Sequence, residues 1–158
     1  MQIRRLYGDL IQLTKEGWFD SIGHGCNCFH TMGSGIAPLM NSLSDGELLK
    51  ADKKTSCGDI NKLGSISWTD VTVNNHSVRM FNLYTQFNYG TQDNVYVHWL
   101  SFESALSAMV SKSPGDRIAI PLIGCGLAGG EVRDFLRAVN NVASVHRPNK
   151  ILYIVEFG

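Results

Sequence analysis

Ser21-Ile-Gly-His-Gly-Cys-Asn-Cys-Phe-His-Thr-Met-Gly-Ser-Gly-Ile-Ala-Pro38 reads as a strand over Ser21 to Cys28, a glycine-bearing loop, and the start of a helix. Pro38 places the helix start near Gly35, because proline's fixed φ and missing N–H are tolerated in the first turn and not beyond it. A second stretch repeats the plan. Ile118 to Ile123 is a short, almost continuously apolar run of the kind that a strand covered on both faces requires. Gly124, Gly126, Gly129 and Gly130 follow it, and Val132, Phe135, Leu136, Val139 and Val142 then fall at helical spacing, with Glu131 in the first turn where the helix dipole favours an acid. The segments 23–35 and 124–130 hold eight of the sixteen glycines. Backbone without Cβ turns sharply and presents its N–H groups, and a helix N-terminus adds about half a positive charge, so each stretch is a candidate anion cradle. Two cradles at the carboxyl ends of strands in one α/β domain suit a diphosphate lying across the crevice between them.

The rest of the chain fills in a layered α/β domain. Ile3 to Tyr7 is a short strand, Ile66 to Trp68 and Val71 to Val73 flank a Thr-Asp turn that suggests a hairpin, and Val78 to Tyr84 continues the sheet. Trp99, Phe102, Leu106, Met109 and Val110 lie on one helical face before Pro114-Gly115 stops the pattern, and Ile151 to Phe157 forms a last buried strand. A strand–helix–strand ending implies a right-handed crossover. The 158 residues are expected to form one domain, and 44% hydrophobic with 18% charged residues is a globular profile.

Fourteen basic residues balance fourteen acidic ones, so no global positive field draws the chain onto nucleic acid or anionic lipid, and any anion is held locally. The uncharged stretch Ser21 to Ser44 has too many glycines and polar residues to span a membrane, and the N-terminus lacks the apolar core of a signal peptide. Cysteines at 26, 28, 57 and 125 match neither a disulfide framework nor paired zinc knuckles, so reduced thiols in a cytoplasm are expected.

The run His24 to Ala37, Tyr7-Gly8-Asp9-Leu10 behind the first strand and Pro121-Leu-Ile-Gly-Cys-Gly-Leu127 together resemble the macrodomain family, in order over nearly the whole chain. The branch they most resemble contains yeast-type ADP-ribose 1''-phosphate phosphatases and small ADP-ribosyl-glutamate glycohydrolases. The resemblance implies a three-layer α/β/α fold with a central mixed sheet. It implies that Asp9 accepts a hydrogen bond from the adenine amino group with Leu10 beside it, and that Gly33, Ser34, Gly35 and Ile36 wrap the diphosphate. Gly124, Cys125, Gly126 and Leu127 then close over it, Asn27 holds the distal ribose, and Phe157 is available to stack on adenine. The expected partner is ADP-ribose or ADP-ribose 1''-phosphate, bound by a monomer without cofactor or metal, with nucleic acid relevant only as an ADP-ribosylated end.

Two positions depart from the glycohydrolases of this branch. Gln86 and Ala128 stand where those enzymes carry a lysine and an aspartate, and neither offers a nucleophile or a base. The phosphatase-like members show the His-x-Cys-Asn-Cys run that His24 to Cys28 reproduces, which makes His24, Asn27 and His30 the catalytic candidates. Hydrolysis of ADP-ribose 1''-phosphate, binding without turnover, and hydrolysis of an ADP-ribosyl bond on a macromolecule all stay open. Gly124 to Gly129 also satisfies G-x-G-x-x-G, but a dinucleotide-binding unit needs an acidic residue about twenty positions on, and Glu156 comes too late.

Overall fold

The computed structural model describes residues 1–89, 95–126, 128–146 and 149–157. Strand β1 (Gln2–Tyr7) leads into helix α1 (Leu10–Lys15), and β2 (Ser21–Cys26) into α2 (Ala37–Leu43) and α3 (Glu47–Lys53). A hairpin of β3 (Ile66–Val73) and β4 (His76–Tyr84) follows, then α4 (Trp99–Lys112), β5 (Arg117–Ile120), α5 (Val132–Ala143) and β6 (Ile151–Glu156). The six strands form one sheet in the order β1-β6-β5-β2-β4-β3, parallel throughout except for β3.

Strands covered on both faces send alternate side chains to opposite cores. On β6, Leu152 and Ile154 join Phe102, Leu106, Met109, Phe135 and Val139 beneath α4 and α5. Tyr153 and Val155 join Leu10, Met40 and Leu48 beneath α1, α2 and α3. The sheet therefore sits between two helical layers, as the three-layer mixed-sheet expectation required. Among the described residues no helix is long and apolar enough to cross a membrane.

Two local expectations are corrected. No turn interrupts β3 at Thr69-Asp70: the strand runs through, and the hairpin turns at Asn74-Asn75, whose φ angles of 48° and 66° are both left-handed. Two successive left-handed residues match the twist of a two-residue hairpin, and asparagine tolerates that region better than most residues. Asp70, a poor strand former, is held in the ladder opposite Arg79 by a two-pronged ion pair at 2.7 and 3.0 Å. The other correction is that β2 and β5 end earlier than the apolar runs, at Cys26 and Ile120, so the loops begin sooner.

Those loops place the site. The segment after β2 crosses to α2 on one face, and the segment after its neighbour β5 crosses to α5 on the other. Adjacent parallel strands whose connections part to opposite faces leave a crevice at their carboxyl ends.

The α4–α5 layer depends on ring packing. Phe135 is fully buried and stacks on Phe102 with centroids 5.4 Å apart. Phe135→Ala is expected to cost about 3–5 kcal/mol, as large-to-small core changes of this size do, read as a lowered melting temperature by circular dichroism.

Candidate functional site

Three hollows line the crevice and run into one another. An apolar one of about 560 Å³ lies among Gly8, Asp9, Leu10, Ile36, Val132 and Phe157. A second of about 280 Å³ shares Gly35, Ile36, Pro121, Leu122 and Gly126 with the first. A third of about 290 Å³ shares His24, Gly25, Ser34, Ala37, Gln86 and Ala128 with the second, and adds Asn27, Thr31, Met32, Tyr89 and Tyr96. Shared walls make this a single trough. None of the described residues lining it is lysine or arginine, and its two carboxylates are Asp9 and Glu156. Glu156 is engaged by Arg5, whose Nε and Nη2 donate to it at 3.1 and 2.9 Å.

The glycines divide into two kinds. Gly23 and Gly25 belong to β2, and a Cβ on either would press on Leu83 and Met109 or on Ile123 and Thr85 at 2.7–3.0 Å. These are packing glycines, Gly23 under Met109 of α4 and Gly25 against Ile123 and Thr85, and they do not form a cradle with Gly33 and Gly35. Gly124 and Gly130 likewise have no room, since added Cβ atoms would lie 2.6 Å from Val97 and from the Gly124 carbonyl oxygen respectively. Gly33 and Gly126 are different: nothing lies within 4 Å of the position a Cβ would take, and neither has a left-handed φ. Neither neighbours nor backbone strain require glycine there, and both positions open into the trough. Gly35 opens into it as well, with φ 64°.

Asp9 caps α1, its Oδ1 accepting from the N–H groups of Ile11 and Gln12 at 2.9 and 3.2 Å. It thus stands at the mouth of the apolar hollow, with Leu10 buried behind it and Phe157 opposite, 85% exposed. Phe157 lies outside the core. Ile36 and Ser34 stand on the α2 side of the trough and Cys125 on the α5 side, where burial pushes its thiol up to about 11 and leaves it protonated at neutral pH. Leu127 lies outside the described residues.

The three residues expected to be catalytic are placed differently. His24 is 1% exposed, and its Nε2 donates to Asn82 Oδ1 at 2.7 Å, with the Cys26 thiol 3.5 Å away on the same face of β2. Burial holds its pKa below the ordinary value, against the smaller opposing effects of Asn82 and Asp52. His30, with φ 60°, donates from Nε2 to the Thr55 carbonyl at 2.8 Å and so ties the loop to the end of α3. Asn27 shapes the loop: its Oδ1 accepts from the Phe29 N–H at 2.8 Å and its Nδ2 donates to Thr31 Oγ1 at 2.6 Å. The four cysteines are unpaired, and among the described residues no three His, Cys, Asp or Glu side chains converge on a metal position.

Gln86 and Ala128 both line the distal and middle hollows of the trough. The sequence reading missed Thr31, Met32, Tyr89 and Tyr96 there, and Leu39 and Val132 at the apolar end. No signal in the sequence marks Tyr89 and Tyr96, which reach this hollow from a segment some sixty residues beyond the glycine loop.

No protein-family model matches the chain. It is 36% identical over 138 residues, covering 82% of this chain and 83% of the other, to the uncharacterised 17.5 kDa protein of the tk-vs intergenic region of Enterobacteria phage T4. Among solved structures it resembles the macrodomain of Thermus aquaticus DarG, with TM-score 0.73, 17% identity and 98% of each chain covered. It also resembles Thermosipho africanus DarTG in complex with ADP-ribose, with TM-score 0.73 and 16% identity over 99% of this chain and 42% of that one.

The buried imidazole has a consequence for stability. With the folded pKa of His24 held below the unfolded value of about 6.5, the unfolded chain takes up the proton first as pH falls. The His24 contribution is therefore whole above pH 6.5 and is drawn down below it. Denaturant midpoints measured from pH 7 to about 5 should fall more steeply for the native protein than for His24→Gln, since His146, shifted the same way, is common to both.

Proposed function

As the chain belongs to the family of the phage T4 17.5 kDa protein and has the macrodomain fold, we propose that it binds ADP-ribose along the trough, adenine at the Asp9–Phe157 end and distal ribose at the Asn27 end. The observation that carries this reading is the pair of glycines, Gly33 and Gly126, that nothing in the protein itself requires. A ligand passing within van der Waals contact of both loops accounts for them, and the N–H groups of loops 33–36 and 124–126 then receive its diphosphate. The apolar hollow suits a purine, with Phe157 free to lie against it and Asp9 to accept from its amino group. The structural neighbour solved with ADP-ribose, Thermosipho africanus DarTG, supports the choice of ligand.

Hydrolysis of ADP-ribose 1''-phosphate is the catalytic reading of the same trough. Water would attack phosphorus as its bond to the C1'' oxygen breaks, the proton that water gives up passing to that oxygen so that ADP-ribose and inorganic phosphate leave, while main-chain N–H groups receive the charge developing on the phosphoryl oxygens. That reading rests on the loop amides and not on His24, whose ring is sealed and disfavours its protonated form. Gln86 and Ala128 at the distal end favour binding without turnover. The ADP-ribosyl hydrolase reading has the least support, for the same reason.

Calorimetry with ADP-ribose is expected to give a one-to-one complex, and Gly126→Ala to weaken it on the order of tenfold with the melting temperature unchanged. Gly130→Ala should do the reverse, costing about 1–3 kcal/mol of stability through its backbone clash. Assaying phosphate release from ADP-ribose 1''-phosphate separates the two readings: release assigns the hydrolase, and tight binding without release assigns the reader.

A further inference from the structure

Thr31 lies in the loop between β2 and α2, exposed at the wall of the distal hollow. Its Oγ1 accepts from Asn27 Nδ2 at 2.6 Å, a short contact that fixes where the oxygen sits. A threonine hydroxyl has one proton to give, and with its lone pair engaged by Asn27 that proton is directed elsewhere. Among the described residues no group accepts it. Asn27 Oδ1 accepts from the Phe29 N–H, and Nδ2 donates both to Thr31 Oγ1 at 2.6 Å and to the Thr31 carbonyl at 3.3 Å, so its N–H groups are spent within the loop and the exposed threonine hydroxyl is the donor this pair leaves to the hollow. Polarisation along such a chain strengthens the outer donor.

We propose that Thr31 is a ligand-binding residue that determines specificity at the distal end, donating from Oγ1 to a hydroxyl or phosphoryl oxygen of the distal ribose unit, with Asn27 as its positioning residue. This rests on the ADP-ribose reading above. The described lining of this hollow includes Ser34 and Gln86 but no lysine, arginine or carboxylate, so discrimination here works through hydrogen-bond geometry. ADP carries the adenosine diphosphate but not the distal sugar, so on the ADP-ribose reading it would make every contact along the trough except those of this hollow.

The experiment measures affinities for ADP-ribose and for ADP on the native protein, Thr31→Val and Thr31→Ser. The expected result is a roughly tenfold loss for Thr31→Val toward ADP-ribose, unchanged affinity for ADP, and recovery in Thr31→Ser. Equal losses toward both ligands would overturn the proposal in favour of a loop-shaping role for Thr31. Undiminished ADP-ribose affinity in Thr31→Val would overturn it while leaving the ADP-ribose reading intact. Failure of the native protein to bind ADP-ribose would remove both.

Discussion

Parallel neighbours β2 and β5 share only a short ladder, Ser21 with Ile118 and Ile22 with Ala119, before their chains part. Past that point one must rise over the sheet toward α2 and the other must pass beneath it toward α5, since each helix buries its apolar stripe in a different core. The gap is thus imposed by the two-sided burial that stabilises the fold. Filling it with side chains would require loops of a different composition, and the loops present carry Gly33, Gly35 and Gly126 along it.

The two classes of glycine show how folding and recognition divide the same residue type. Gly23, Gly25, Gly124 and Gly130 are small because neighbouring groups press against them: Leu83 and Met109 on Gly23, Thr85 and Ile123 on Gly25, Val97 on Gly124, and Val97, Trp99 and the Gly124 carbonyl on Gly130. Overpacking at such sites costs more than the modest entropy that alanine would save. Gly33 and Gly126 face empty space, and neither packing nor backbone conformation within the described structure accounts for their smallness. Counting glycines therefore overstates a binding loop, and asking what stands opposite each one recovers it.

Much of this was legible in the sequence. Helix α4 could be read from its period and its proline stop, β6 from its apolar run, and both trough-lining loops from glycine following a strand. Helix α1 could not, because six residues are too few for a period, and its sign was the capping role of Asp9. The hairpin was misplaced because Asp70 looks like a turn residue until Arg79 stands across from it. His24 passed for a reactive group because a strand's sequence does not say which face its side chain takes, and here it takes the covered one. The distal hollow joins segments some sixty residues apart, Thr31 with Tyr89 and Tyr96, and nothing local announces that meeting.

A trough without lysine or arginine along its described lining exerts no long-range pull on an anion, and the protein's balanced charge adds none. Encounter then proceeds at the pace of ordinary diffusion, largely indifferent to ionic strength. Abundant polyphosphates such as nucleoside triphosphates gain no electrostatic advantage from their greater charge. On the ADP-ribose reading, such a trough would sort its visitors after they arrive, by contour and donor placement.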